Sequence, residues 1–301
     1  MSVNTWIVVA GNPAIGNLIE TARSLGGQVT AAVVGPRAVA DTVANGGVDK
    51  VIWFGEPGQA PVEAYASAVA DALGAASGAV LGASRPGDRI LLGAVAARLQ
   101  APVLSEASSL SADGNGLVAR RTVSGGIALE GVVVAGPVAI VLDGGAIPPA
   151  SGTAPVEEVA AVPLGMTVLE TSVSALEQVN LGAASRVVGI GRGLKAQADL
   201  AMIEALAGVC KAEVACSRPV AEGLDWLGKD RYIGVSGQHI APEVYFAIGI
   251  SGQLQHMVGV REATTIVAIN SDSNAPVFKE ADYCLVGDLY QIVPALTEAL
   301  K

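Results

Sequence analysis

Histidine, cysteine and basic charge are all scarce in this chain, and each scarcity removes a class of chemistry. Only His239 and His256 occur among 301 residues, so a histidine-rich metal site is excluded, and no mixed carboxylate set has a recognisable ligand spacing. No metal is expected. The three cysteines, Cys210, Cys216 and Cys284, are an odd number without short metal-ligand spacing. Each lies in or beside an apolar segment, which reads as a buried thiol. Eighteen Lys and Arg stand against 28 Asp and Glu, a formal charge of -10, and the pI is near 4.7. Nucleic acid demands a basic face, so no nucleic acid is expected and the partner is a small molecule or another protein.

Long hydrophobic runs are missing as well, although 51% of the residues are apolar. The most apolar stretch, 127–142, contains Glu130, Gly131, Gly136 and Pro137, and it falls short of the roughly 20 apolar residues that cross a bilayer. It reads as two buried strands, so the chain is not membrane-embedded. The opening residues from Met1 to Trp6 have neither the basic start nor the apolar core of a secretory signal, which points to a cytoplasmic location.

What is present suffices for two hydrophobic cores, since single domains usually run to about 100 to 200 residues. In the first half, β-branched runs at 6–10, 29–34, 51–54 and 79–82 alternate with helical stretches at 15–24, 38–45, 62–75 and 89–99. That is the pattern of a parallel sheet covered by helices. Beyond Pro102 the segments 117–123, 131–135 and 138–142 suggest a β-rich closing portion, and 166–173 reads as a further strand. Strands are expected again at 187–190, 213–215, 232–235, 265–269 and 283–286, with helices at 196–206, 243–248, 252–258 and 289–300. The fold class is therefore α/β: two doubly wound Rossmann-like domains, 1–177 and 178–301, the second built on a parallel sheet. The polar stretch 178–184 is the place for a hinge.

In such sheets ligands sit beyond the carboxyl ends of the strands. The loops at those ends in the second half are rich in small polar residues. Gly189-Ile190-Gly191-Arg192-Gly193 offers glycines around one cation, suited to phosphate pairing or simply to a tight turn. Cys216-Ser217-Arg218-Pro219 offers a hydroxyl and a guanidinium, and Gly234-Val235-Ser236-Gly237-Gln238 a second hydroxyl. In Gly249-Ile250-Ser251-Gly252-Gln253-Leu254-Gln255-His256, Ser251 is placed to cap a helix bearing His256. On its own that histidine reads as a satisfied structural residue. Asn270 and Asp288-Leu289 close two further strands, and Asp288 reads equally as a helix cap.

In this order, from about Arg186 to the C-terminus, these motifs resemble the FAD-binding domain of electron-transfer flavoprotein alpha subunits. The match is densest in Gly191-Arg192-Gly193-Leu194-Lys195, in Ser217-Arg218 and in 240–256, and it continues through Val267-Ala268-Ile269-Asn270, Ala275-Pro276-Val277-Phe278 and Gly287-Asp288-Leu289. The first half matches more loosely, through Gly82-Ala83-Ser84.

The resemblance implies that Arg192 and Ser217 hold the diphosphate of FAD, helped by Ser251 and the chain through Gly252, Gln253, Leu254 and Gln255. It places Asn270, Asp288 and Leu289 at the adenosine half. Arg218 lies against the isoalloxazine, the loop Ile233, Gly234, Val235 and Ser236 lies near its N5, and His256 faces O2 as a cationic or donating group. The family's usual Gly-Gln-Thr-Gly-Lys is here Gly234-Val235-Ser236-Gly237-Gln238, which loses a lysine and a carboxamide.

The resemblance further implies an electron carrier rather than an enzyme. It implies a heterodimer with a beta subunit that carries AMP or a second FAD, a flavin dehydrogenase such as an acyl-CoA dehydrogenase as donor, and a quinone-linked oxidoreductase as acceptor. A bifurcating NADH-oxidising complex, a non-redox nucleotide-binding module and an NAD-dependent dehydrogenase stand as alternatives.

Overall fold

The computed structural model describes residues 2–76, 78–114, 116–124, 128–171 and 181–301. The chain divides into two compact units, residues 1–172 and 173–301. Among the described residues no helix is long and apolar enough to cross a membrane.

The first unit runs β1 (Val3–Ala10), α1 (Gly16–Ser24), β2 (Gly26–Val34), α2 (Arg37–Asn45), β3 (Lys50–Trp53), α3 (Ala66–Ala72), β4 (Ala79–Ala83), α4 (Pro86–Leu99), β5 (Val103–Leu104), β6 (Ala107–Asp113), β7 (Gly116–Val123), β8 (Ala128–Val134), β9 (Val138–Leu142) and β10 (Val156–Glu158). Its main sheet has the order β10-β3-β2-β1-β4-β9-β5, and all neighbouring strands in it pair in parallel. Ile7, Val8 and Val9 at its centre are fully buried, so this strand is apolar on both faces as a covered parallel strand must be.

Three expectations fail in this unit: of the two buried strands read in 127–142, the first, β8, is mostly exposed, and two further segments differ. Segment 138–142 does not close a separate β portion: all five of its residues are buried and it joins the parallel sheet beside β4. Only β6, β7 and β8 form the antiparallel sheet. The expected strand at 166–173 is not one over 166–171; these residues are exposed, Leu169 almost wholly so. The Val168 N–H donates to the Gln59 carbonyl at 2.8 Å, but without a packed face no ladder forms. Residues 172 and 173 lie outside the described set, as do 178–180 of the expected hinge; 181–183 form a 3-10 turn.

The second unit runs β11 (Arg186–Ile190), α5 (Leu200–Cys210), β12 (Glu213–Ser217), α6 (Arg218–Glu222), β13 (Tyr232–Ile233), β14 (Val244–Ile248), α7 (Leu254–Met257), β15 (Thr265–Asn270), β16 (Tyr283–Val286) and α8 (Leu289–Ala299). Its sheet is wholly parallel, in the order β13-β12-β11-β14-β15-β16. The chain therefore winds outward one way from β11 and the other way from β14, and the topological switch falls between those two strands.

The central strand β14 corrects the expectation of a helix at 243–248. Tyr245, Phe246, Ala247 and Ile248 are buried and pack on both faces of the sheet, and aromatic and β-branched side chains suit a pleated strand. One cysteine is also misjudged: Cys210 and Cys216 are buried, but Cys284 is exposed, because it lies on the edge strand β16, whose residues are all exposed.

In the first unit the turn into α4 is held by Asp88, which is fully buried. It accepts from the Ala10 N–H at 2.8 Å and from Arg85 Nε at 2.6 Å. Burial pushes its pKa up, against the pull of the Ala10 N–H and of Arg85. Asp88→Ala leaves a buried N–H and a partly buried guanidinium without their acceptor and should destabilise this unit by roughly 2 to 4 kcal/mol. Asp88→Asn, which keeps one acceptor oxygen, should cost less. Urea denaturation of the three proteins checks the order.

Candidate functional site

At the switch point the loops after β11 and β14 touch backbone to backbone. A Cβ built on Gly191 would lie 2.3 Å from the Gly249 carbonyl oxygen, and one on Gly193 would lie 2.6 Å from the Gly249 Cα. Gly249 itself turns at φ +62, a left-handed conformation that glycine adopts without strain. The Gly191 N–H donates to the Ile248 carbonyl at 2.9 Å and the Gly193 N–H to the Gly249 carbonyl at 3.1 Å. The glycines therefore serve first to let the two loops meet.

A cleft of about 550 Å³ opens over this junction. Of the residues singled out in the sequence, it is lined by Arg192, Ser217, Arg218, Ile233, Gly234, Val235, Ser236, Ser251, Gln253, Gln255, His256 and Asn270. Four others stand back from it. Gly252 turns at φ +78 with a would-be Cβ 2.2 Å from the Val277 nitrogen. Leu254 opens α7. Leu289 is buried, with its Cδ2 3.2 Å from the would-be Cβ of Gly193. Asp288 caps α8, accepting from the Tyr290 N–H at 2.9 Å.

Ser251 is not the cap of α7. The turn at Gly252 spends the chain before the helix begins: the Ser251 carbonyl accepts from Val277 N–H, and Gln253 occupies the cap position without a side-chain bond. With four residues, α7 is also too short to present a helix-end field.

The cations stand on the rim. Arg192 is exposed and has no ion-pair partner among the described residues. Arg218 is paired with Glu222 one turn along α6, so its charge is shared before any ligand arrives. The loop bearing Arg192 is pinned from behind by Tyr290. Its hydroxyl donates to Asp199 at 2.5 Å and accepts from the Lys195 N–H at 2.8 Å, while the Lys195 ammonium lies 5.1 Å from the ring centroid. Asn270 spends its amide locally, donating to the Ile250 carbonyl at 2.9 Å and accepting from Asp272 N–H at 3.0 Å.

His256 departs most from expectation. It is 7% exposed, and both ring nitrogens are engaged: Nδ1 lies 3.1 Å from the Ile233 carbonyl and Nε2 lies 2.8 Å from the Tyr245 hydroxyl. Burial pulls its pKa down from 6.5 to about 4, outweighing the opposing hydrogen bond to Ile233. A pKa of about 4 favours the neutral ring, so of the two roles the resemblance implies, cationic or donating, the burial of His256 speaks against the cationic one. Cys216, at the end of β12, has its thiol pushed up to about 12 by burial.

Tyr232, Pro219, Ile250 and the glycines 191, 193 and 249 also line the cleft, and Tyr245 lies beneath it. Neither tyrosine was singled out in the sequence. Tyr245 lies in β14, which is buried along its length without alternation and reads in the sequence as a helix.

The depressed His256 pKa has a consequence for stability. The unfolded chain takes up the proton near pH 6.5 and the folded chain only near 4. This contribution is therefore fully present above 6.5 and is lost as the pH falls through that window, by on the order of 3 kcal/mol. His256→Gln removes the titration, so the stability gap between the two proteins should narrow from pH 7 to pH 4.5 in denaturant titrations.

Comparison with known proteins gives the family of the chain. The family model of the electron transfer flavoprotein domain matches residues 9–164, and that of the electron transfer flavoprotein FAD-binding domain matches residues 180–261. The protein named as electron transfer flavoprotein subunit YdiR of Escherichia coli (strain K12) is 42% identical over 229 residues, covering 74% of this chain and 73% of its own. Protein FixB of Salmonella typhimurium is 36% identical, covering 99% and 98%, and protein FixB of Escherichia coli O157:H7 is 36% identical, covering 98% and 97%. The chain thus belongs to the electron transfer flavoprotein family, with FAD as the cofactor of its second unit.

Proposed function

We propose that this chain is the alpha-type subunit of a cytoplasmic electron carrier and that FAD lies in the cleft over the β11–β14 switch point. The carrying observation is the convergence there of glycine-lined loops, two arginines and three serines, inside the segment that matches the FAD-binding domain. FAD, when bound, supplies one- and two-electron chemistry in its isoalloxazine ring.

The donor set suits such a ligand. Arg192, without an ion-pair partner among the described residues and beside loops that bring backbone close, is the group to meet a diphosphate, for which a guanidinium has the matching fork geometry. Ser217 follows Cys216 at the strand end, and its hydroxyl makes no cap bond, which leaves it available. Ser236 and Arg218 line the same cleft and are assigned to the ring end. Val235, at 40% exposure, supplies apolar surface there. Ser251, Gln253 and Gln255 are assigned beside the diphosphate and Asn270 to the adenosine side, which Asp288 and Leu289 support from behind.

No residue is assigned to bond-making chemistry. The reading is a shuttle that takes electrons from a flavin dehydrogenase, an acyl-CoA dehydrogenase being the model donor, and hands them to a quinone-linked oxidoreductase. A beta subunit carrying AMP or a second FAD completes the heterodimer.

Co-expression with the beta-type subunit followed by a visible spectrum during stepwise reduction tests the assignment. Flavin bands that bleach reversibly are expected; a colourless complex holding AMP alone would sink it. Arg192→Ala should weaken FAD retention roughly 10- to 100-fold, the value of one charge-assisted contact, as read from flavin fluorescence released on dilution. Unchanged retention would remove Arg192 from the binding set.

A further inference from the structure

We propose that Tyr245 is the positioning residue of the cleft. Its hydroxyl, given room by Gly189, donates to Nε2 of His256 and holds that ring with neither nitrogen free to donate to a ligand.

The argument begins with space. Gly189 lies in the middle of β11, opposite Ala247 of β14, and Tyr245 is paired two residues away with Val187. Gly189 is not among the residues with positive φ, so its backbone does not call for glycine. A Cβ there would lie 2.0 Å from the Tyr245 hydroxyl oxygen and 2.5 Å from its Cζ. The side chain is absent because the tyrosine ring fills its place, and Tyr245 is fully buried as a result.

The second step is a count of hydrogens. The Ile233 carbonyl can only accept, so Nδ1 of His256, 3.1 Å away, carries the ring hydrogen. A neutral imidazole has only one, so Nε2 presents a lone pair. The Tyr245 hydroxyl at 2.8 Å therefore donates to it. A buried hydroxyl needs a partner, and this is the hydrogen bond that the Tyr245 hydroxyl makes among the described residues. One carbonyl thus selects the tautomer, and the tyrosine fixes the ring's direction and closes its second nitrogen. The expected contact from a histidine donor to a flavin carbonyl is then not available without breaking this chain of bonds. Donation to the ring end falls to Arg218, Ser236 and backbone N–H groups. The inference rests on the flavin reading only for that last consequence; the chain of hydrogen bonds stands without it.

The chain has only two histidines, which makes nitrogen NMR of the full-length protein labelled with 15N-histidine decisive, with His239→Gln giving the assignment. At pH 7, His256 should show a protonated Nδ1 and a hydrogen-bonded, unprotonated Nε2. In Tyr245→Phe the Nε2 resonance should shift to the position of an imine nitrogen without a donor, while Nδ1 stays protonated. Gly189→Ala should produce the same shift with the tyrosine still present. A protonated Nε2 at pH 7 in the unmodified chain, or an Nε2 resonance unmoved by Tyr245→Phe, overturns the proposal. A chain with the expected spectrum that binds no flavin would instead defeat the cofactor assignment and leave Tyr245 in its role.

Discussion

Close approach of two backbones at the switch point is the constraint on which the second unit depends. The ends of β11 and β14 diverge because the chain winds away from them in opposite directions, and a cleft opens only where the two loops part. Without the glycines at 191, 193 and 249 the loops would be wedged apart, and the floor of the cleft would be lost with them. Leu289, at the start of α8, packs against the same junction, so the terminal helix braces the floor that the loops form.

Polarity is divided unevenly over that floor. The positive charge is on the rim, where Arg192 and Arg218 are exposed, and the interior beneath is neutral: a buried tyrosine, an uncharged imidazole and a protonated thiol. Burying a lone cation under the sheet would incur a large desolvation cost, and the structure avoids it by satisfying the imidazole on both sides. The field felt by a ligand thus comes from flexible rim groups, which salt and a docking partner can modulate.

Much of this was legible in the sequence, and the failures share a cause. The strands at 187–190, 265–269 and 283–286 and the loops following them could be read from β-branched runs that end in glycine or small polar residues. Val244 to Ile248 could not, because a central strand covered on both faces has no alternation and resembles a buried helix segment. That one error hid Tyr245 and with it the state of His256, since the protonation of a histidine is set by neighbours brought in from other strands. Ser251 failed as a cap for a similar reason: the turn that displaces it is imposed by Val277, 26 positions along the chain. Asp288 is a local signal and was legible as a cap, because its bond reaches only two residues on.

Cys216 is fully buried one residue before Ser217, which lines the cleft proposed for an electron-poor heterocycle. A thiolate there would be a nucleophile and a competing one-electron donor, and reactivity of either kind requires the deprotonated sulfur. With its pKa pushed up to about 12, the ionised fraction at neutral pH is about one in 10⁵. Burial thus keeps the sulfur protonated and chemically quiet beside the strand end that carries Ser217.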